Sequence, residues 1–133
     1  PGFIFIIYYL YLRKGLYAAM SNELNEDQLE EIVIDFNHMR DPDLQESFLA
    51  SFGYMVKGLL KAMFGNSVPK ATIRGTPGEI RVFGKALSSE KDYLAKLRDF
   101  GLDNPRSIRS KSTLKRRVSD FERKTGLKWP FEV

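Results

Sequence analysis

Between Asp41-Pro42 and Gly65-Asn66 the chain carries one long apolar stripe at helical spacing: Leu44, Phe48, Leu49, Phe52, Met55, Val56, Leu59, Leu60, Met63 and Phe64. A stripe this wide, uncharged from Ser47 until Lys57, suits a helix with most of its circumference against other elements. Asp41 supplies a side-chain acceptor for the helix N-terminus, and Pro42 a fixed φ at the first helical position. Gly65-Asn66 ends it. Gly53 and Gly58 inside the stripe each cost about 1 kcal/mol relative to Ala, which close approach of a neighbouring element would offset. The rest of the chain has to fold around this central helix.

Upstream, Leu29, Ile32, Val33, Phe36 and Met39 follow the same period and predict a helix from Asn25 to about Arg40, capped by Asn25 with Gln28 three residues on. Val68 to Arg74 is rich enough in β-formers to predict a strand. Thr76-Pro77-Gly78-Glu79 then reads as a capping box opening a third helix, with Ile80, Phe83, Leu87, Leu94, Leu97 and Phe100 inward, an interruption near Ser88-Ser89, and Gly101 as its C-cap. Leu102 to Ser112 is expected to be a loop with turn chemistry in Asp103-Asn104-Pro105. Ser112 would cap a fourth helix through Lys124, with Leu114, Val118 and Phe121 inward and Gly126 as its stop. Leu127, Trp129 and Phe131 form an aromatic tail that folds back, and Trp129 and Phe131 are its candidate interaction surface. The expected fold is mainly α (α+β): four helices around one core with one or two short strands. A strand at 68–74 needs a partner. Residues 3–11 or a second copy would supply it, and the latter makes a homodimer an expectation.

Phe3 to Leu12 is an uninterrupted apolar run. A membrane span needs about 20 residues, and Arg13-Lys14 stops this run well short, so a membrane partner is not expected. Charge follows the run instead of preceding it, unlike a secretory signal. Met20-Ser21-Asn22-Glu23 resembles an initiator, so residues 1–19 are read as an extension outside the native protein, with an aromatic strand or the end of a membrane segment as alternatives. Residues 20–133 are then one domain, a size that 133 residues with ten Phe, six Tyr and one Trp support.

The net charge of +4 hides two opposite halves. Residues 1–64 hold nine acids and five bases, and residues 65–133 hold 16 bases and eight acids. The densest basic stretch is Arg106, Arg109, Lys111, Lys115, Arg116, Arg117, Arg123 and Lys124, with only Asp120 and Glu122 against it. Cations at this density neutralise phosphates with little sequence preference, so they are the candidate nucleic-acid-binding residues. The competing expectation is a solvated basic helix, or one that docks on the acidic opening helix.

No Cys and a single His, His38, exclude disulfides, thiolate metal sites, Cys nucleophiles and multi-His metal centres. His38, with Asp35 three residues back, reads as a residue satisfied at a helix C-terminus. Asp41, Asp43, Glu30, Glu31 and Asp35 read as cap and solvated helix face. Gly75-Thr76-Pro77-Gly78 lacks the Lys-Ser/Thr of a phosphate loop and reads as a plain helix cap. No cofactor, metal or catalytic group is expected.

Two stretches carry a resemblance. Thr72-Ile73-Arg74-Gly75-Thr76-Pro77-Gly78-Glu79-Ile80, leading to Glu90-Lys91-Asp92-Tyr93, is one. Asp120-Phe121-Glu122-Arg123-Lys124-Thr125-Gly126-Leu127-Lys128-Trp129-Pro130-Phe131 is the other. Over residues 30–131 they resemble small accessory proteins of contractile-tailed, cyanophage-like bacteriophages. The resemblance implies a non-catalytic structural or assembly protein in the host cytoplasm or the virion. The function expected first is protein interaction or self-association, with the aromatic tail and the opposite-charge halves as interfaces, and second, nonspecific nucleic-acid binding through the basic segment.

Overall fold

The computed structural model describes residues 32–64 and 71–133. The expected extension 1–19, the opening of the expected first helix at 25–31 and the start of the expected strand at 68–70 lie outside the described residues. The order of elements is β1 (Ile32–Asp35), a 3-10 turn (Phe36–Arg40), α1 (Pro42–Phe64), β2 (Ala71–Arg74), α2 (Pro77–Phe100) and α3 (Pro105–Thr125).

The part of the expected first helix that is described is a strand and a 3-10 turn, so there are three helices among the described residues instead of four. Ile32, Val33 and Ile34 are β-branched and stiff at χ1, which favours extended backbone. Their burial alternates: Ile32 and Ile34 point into the core and Val33 outward. Asp35 accepts the Asn37 backbone N–H at 3.0 Å, which turns the chain into the 3-10 segment. β1 pairs in parallel with β2, Ile32 opposite Ala71 through Asp35 opposite Arg74. A parallel pair requires a crossover, and α1 lies in it. β2 thus finds a partner within the chain, so strand pairing does not require a second copy.

α1 begins as the sequence predicts: the Asp41 carboxylate accepts the Asp43 backbone N–H at 3.0 Å. Phe48, Phe52, Val56, Leu59 and Leu60 are buried, but Leu44 and Leu49 stay exposed. α2 runs through Ser88-Ser89 without interruption. Its capping box is complete: Thr76 Oγ1 accepts the Glu79 N–H at 3.2 Å, and Glu79 Oε1 accepts the Thr76 N–H at 2.9 Å. Ile80 and Phe100, expected inward, are exposed at its two ends.

α3 starts at Pro105, so most of the expected loop is helix. Asn104 accepts the Arg106 backbone N–H at 2.9 Å, and Pro105 takes the first position, where it sacrifices no hydrogen bond. α2 and α3 form an antiparallel hairpin. Ser107 Oγ donates to the Lys96 carbonyl at 3.2 Å, Ser110 Oγ donates to Asp92 Oδ2 at 2.6 Å, and at the far end Lys124 crosses Gly78. A Cβ at Gly78 would lie 2.7 Å from Lys124 Cε, so glycine lets the lysine stem pass. Gly126 ends α3 in the left-handed conformation at φ 73°, a state that costs glycine nothing.

One core joins these elements. Phe36, fully buried, sits 5.5–6.2 Å from the rings of Phe48, Phe52, Phe83 and Phe121. Phe52 stacks on Phe121, and Trp129 meets Phe121 edge-on at 5.2 Å. Pro130 packs over Gly53, where a Cβ would stand 3.4 Å from the proline Cβ. Trp129 and Phe131 are 4% and 5% exposed. They are core residues in this fold, and the expectation that they present an interaction surface is corrected: with only two helices of the hairpin against α1, the tail's rings complete the aromatic cluster.

Candidate nucleic-acid interface

All eight cations singled out in the sequence lie on α3. Arg106, Arg109 and Lys111, expected on a loop, are held on the same rigid helix as Lys115, Arg116, Arg117, Arg123 and Lys124. The inward positions are Ser107, Ser110, Leu114, Val118 and Phe121. Residues seven apart share a helix face, so Arg109, Arg116 and Arg123 form one outward stripe along a helix about 31 Å long. Arg106, Arg117 and Lys124 flank it toward α2, while Lys111 and Lys115 lie on the other flank. Arg106, Arg109, Lys115, Arg116, Arg123 and Lys124 are exposed; Lys111 and Arg117 are half-buried.

What decides the electrostatics is where the hairpin's carboxylates go. Glu79 is bound by Thr76 and by the Arg40 guanidinium. Glu90 is buried. Asp92 accepts from Ser110 and pairs with Lys96. Asp99 pairs with Arg98, and Asp120 with Arg123. Glu122 turns toward the tail and accepts the Trp129 backbone N–H. Each acid of α2 and α3 is thus buried or already engaged. Arg106, Arg109, Lys115, Arg116, Arg117 and Lys124 have no carboxylate within ion-pair distance among the described residues. Of the first-half acids, Asp35, Asp41, Asp43 and Glu46 form no ion pair with this helix, and the others, on which the expected docking would rest, lie outside the described residues.

The remaining candidates resolve into structural roles. His38 Nε2 lies 3.6 Å from Asp35 Oδ2 on the surface. Asp41 caps α1. No group of three or more His, Asp or Glu side chains capable of holding a metal occurs among the described residues. Burial pushes the Glu79 carboxyl up, but the Thr76 N–H and side chain together with Arg40 outweigh it and hold the group below the ordinary carboxylate range. The Tyr93 phenol is raised to about 12 by burial and by the charge of Glu90. Both are features of a packed interior.

Sequence reasoning missed Phe100. It ends α2 with 39% of its surface exposed, and the Arg106 guanidinium lies over its ring at 4.7 Å. Its spacing from Leu94 and Leu97 continues the apolar period, so the sequence carries no signal that sets it apart from an inward residue. No helix among the described residues is long and apolar enough to cross a membrane. Comparison of the chain with protein-family models, curated proteins and solved structures finds no match in any of the three.

Proposed function

We propose that this chain is a small non-enzymatic nucleic-acid-binding protein that holds the phosphate backbone along α3 with little sequence preference. One observation carries this reading: the hairpin's own carboxylates are buried or engaged, so among the described residues six of the eight α3 cations have no carboxylate within ion-pair distance. Unneutralised cations repel one another along a helix, and a polyanion relieves that repulsion while releasing its condensed counterions. Arg and Lys contacts to phosphate fix position and carry no sequence information directly.

The protein-interaction reading has less to stand on. Trp129 and Phe131 are buried. The exposed apolar residues of α1, Leu44, Leu49 and Tyr54, recur five residues apart and therefore fall on different faces, so they build no contiguous patch. The resemblance to phage accessory proteins suits a module that meets a genome as well as one that meets a capsid.

A gel-shift or anisotropy titration with duplex DNA tests the proposal. Charge reversal at Lys115, Arg116 and Arg117 should abolish binding and leave the circular dichroism spectrum unchanged. Retention of full affinity by that variant would refute the assignment to α3.

A further inference from the structure

The α2–α3 hairpin tip differs from the rest of the basic helix, because it combines cations with exposed apolar surface. Phe100 closes α2, and the Arg106 guanidinium lies over its ring. Ile108, one turn into α3, is 56% exposed, among the more exposed large apolar side chains described. The first turn of α3 holds no acid. The helix dipole already favours an anion there, yet the residues that follow the cap are Arg106 and, one turn on, Arg109. Asp103, just before the cap, pairs with neither among the described residues. The tip therefore presents an exposed aromatic ring with a guanidinium over it, beside a positive field that no described acid answers.

Resting on the nucleic-acid reading above, we infer that the preferred ligand is single-stranded, with one unpaired base stacked at the Phe100–Arg106 platform and the strand's phosphates following Arg109 and Arg116 along α3. A phosphate satisfies both the dipole and the arginines. A base has a π-face that matches an aromatic ring or a guanidinium plane whatever its identity. Duplex DNA can use the phosphate track but keeps its bases stacked inside the helix, where the platform gains nothing without an unpairing cost. Arg106 is pre-oriented by Phe100, so little side-chain freedom remains to be lost on binding. The seven-residue stripe then extends the contact away from the tip.

The test is an anisotropy titration of the full chain with a fluorescein-labelled oligothymidine of about 16 nucleotides and a duplex of equal length, a span within one small binding site. Phe100→Ala should weaken oligothymidine binding by about 5- to 150-fold, the range of a single base–aromatic stack, and duplex binding by less than about 2-fold. Phe100→Tyr should restore the oligothymidine affinity, which separates ring loss from a disturbed hairpin. Arg106→Lys, which keeps the charge and removes the plane, should lose affinity for oligothymidine more than for duplex. Equal effects of Phe100→Ala on both ligands, or none on either, would overturn the single-strand inference and leave the phosphate-binding reading standing. Failure of the unmutated chain to bind either ligand at low salt would overturn both.

Discussion

Glu122 Oε2 accepts the backbone N–H of Trp129 at 3.0 Å. That contact pins the aromatic tail against the core and, in the same step, turns the acid away from the cationic face of α3. The two consequences separate by mutation. Glu122→Ala should cost about 1–3 kcal/mol of stability, the range for losing a charge-assisted hydrogen bond, read as a lowered midpoint in urea. Glu122→Gln keeps the acceptor, so its stability should stay within about 1 kcal/mol, while affinity for DNA should rise about 2- to 5-fold as a negative charge leaves the helix.

Phe36 is the hub of the core, in ring contact with residues from α1, α2 and α3. Phe36→Ala should destabilise the chain by about 3–5 kcal/mol, a large share of the stability of a chain of this size. Chemical denaturation with a tryptophan fluorescence readout checks it, because Trp129 reports on the same cluster. A loss below about 1 kcal/mol would contradict the packing described.

The Glu79 carboxyl has a folded-state pKa below its unfolded value, so it stabilises the fold above the unfolded pKa and loses that contribution as pH falls through the folded one. Stability should therefore decline on acidification below about pH 4.5. Glu79→Gln should flatten that decline and lower stability at neutral pH. Thr76→Ala, which removes the other half of the capping box, should cost about 0.5–2 kcal/mol. Denaturation midpoints from pH 3 to 7, roughly the range over which carboxylates titrate, measure both.

Tyr93 has the opposite sign. Its phenol is raised to about 12, so the stabilising preference for the neutral form is complete below about pH 10 and is lost as pH climbs through 12. Tyr93→Phe should show a shallower loss of stability over that interval in alkaline denaturation.

Much of this architecture was legible before any coordinates, and its gaps have physical causes. Asp41-Pro42, the Thr76–Glu79 box, Gly101 and Gly126 mark real helix ends because caps are local chemistry. Asn104-Pro105 carries the same signature as Asp41-Pro42 but read as a turn, since Ser107 and Ser110 face inward and Ile108 outward. Polar residues at core positions erase the apolar period in the first turns of α3. Ile32-Val33-Ile34 fits helical spacing with Phe36 and Met39, and only pairing with β2, a long-range event, settles it as strand. The eight cations were identifiable from composition. That six of them have no described carboxylate within ion-pair distance was not, because it depends on Ser110 engaging Asp92, the Trp129 N–H engaging Glu122 and Arg123 engaging Asp120.

The most direct measurement is the salt dependence of binding for the unmutated chain. Affinity for a duplex should fall linearly in log–log form with a slope between about −3.5 and −5.5, as expected when roughly four to six α3 cations replace counterions. Arg116→Ala should make that slope shallower by about 0.9, as removal of one phosphate contact requires. Absence of binding at low salt, or affinity that does not respond to salt, would contradict the account.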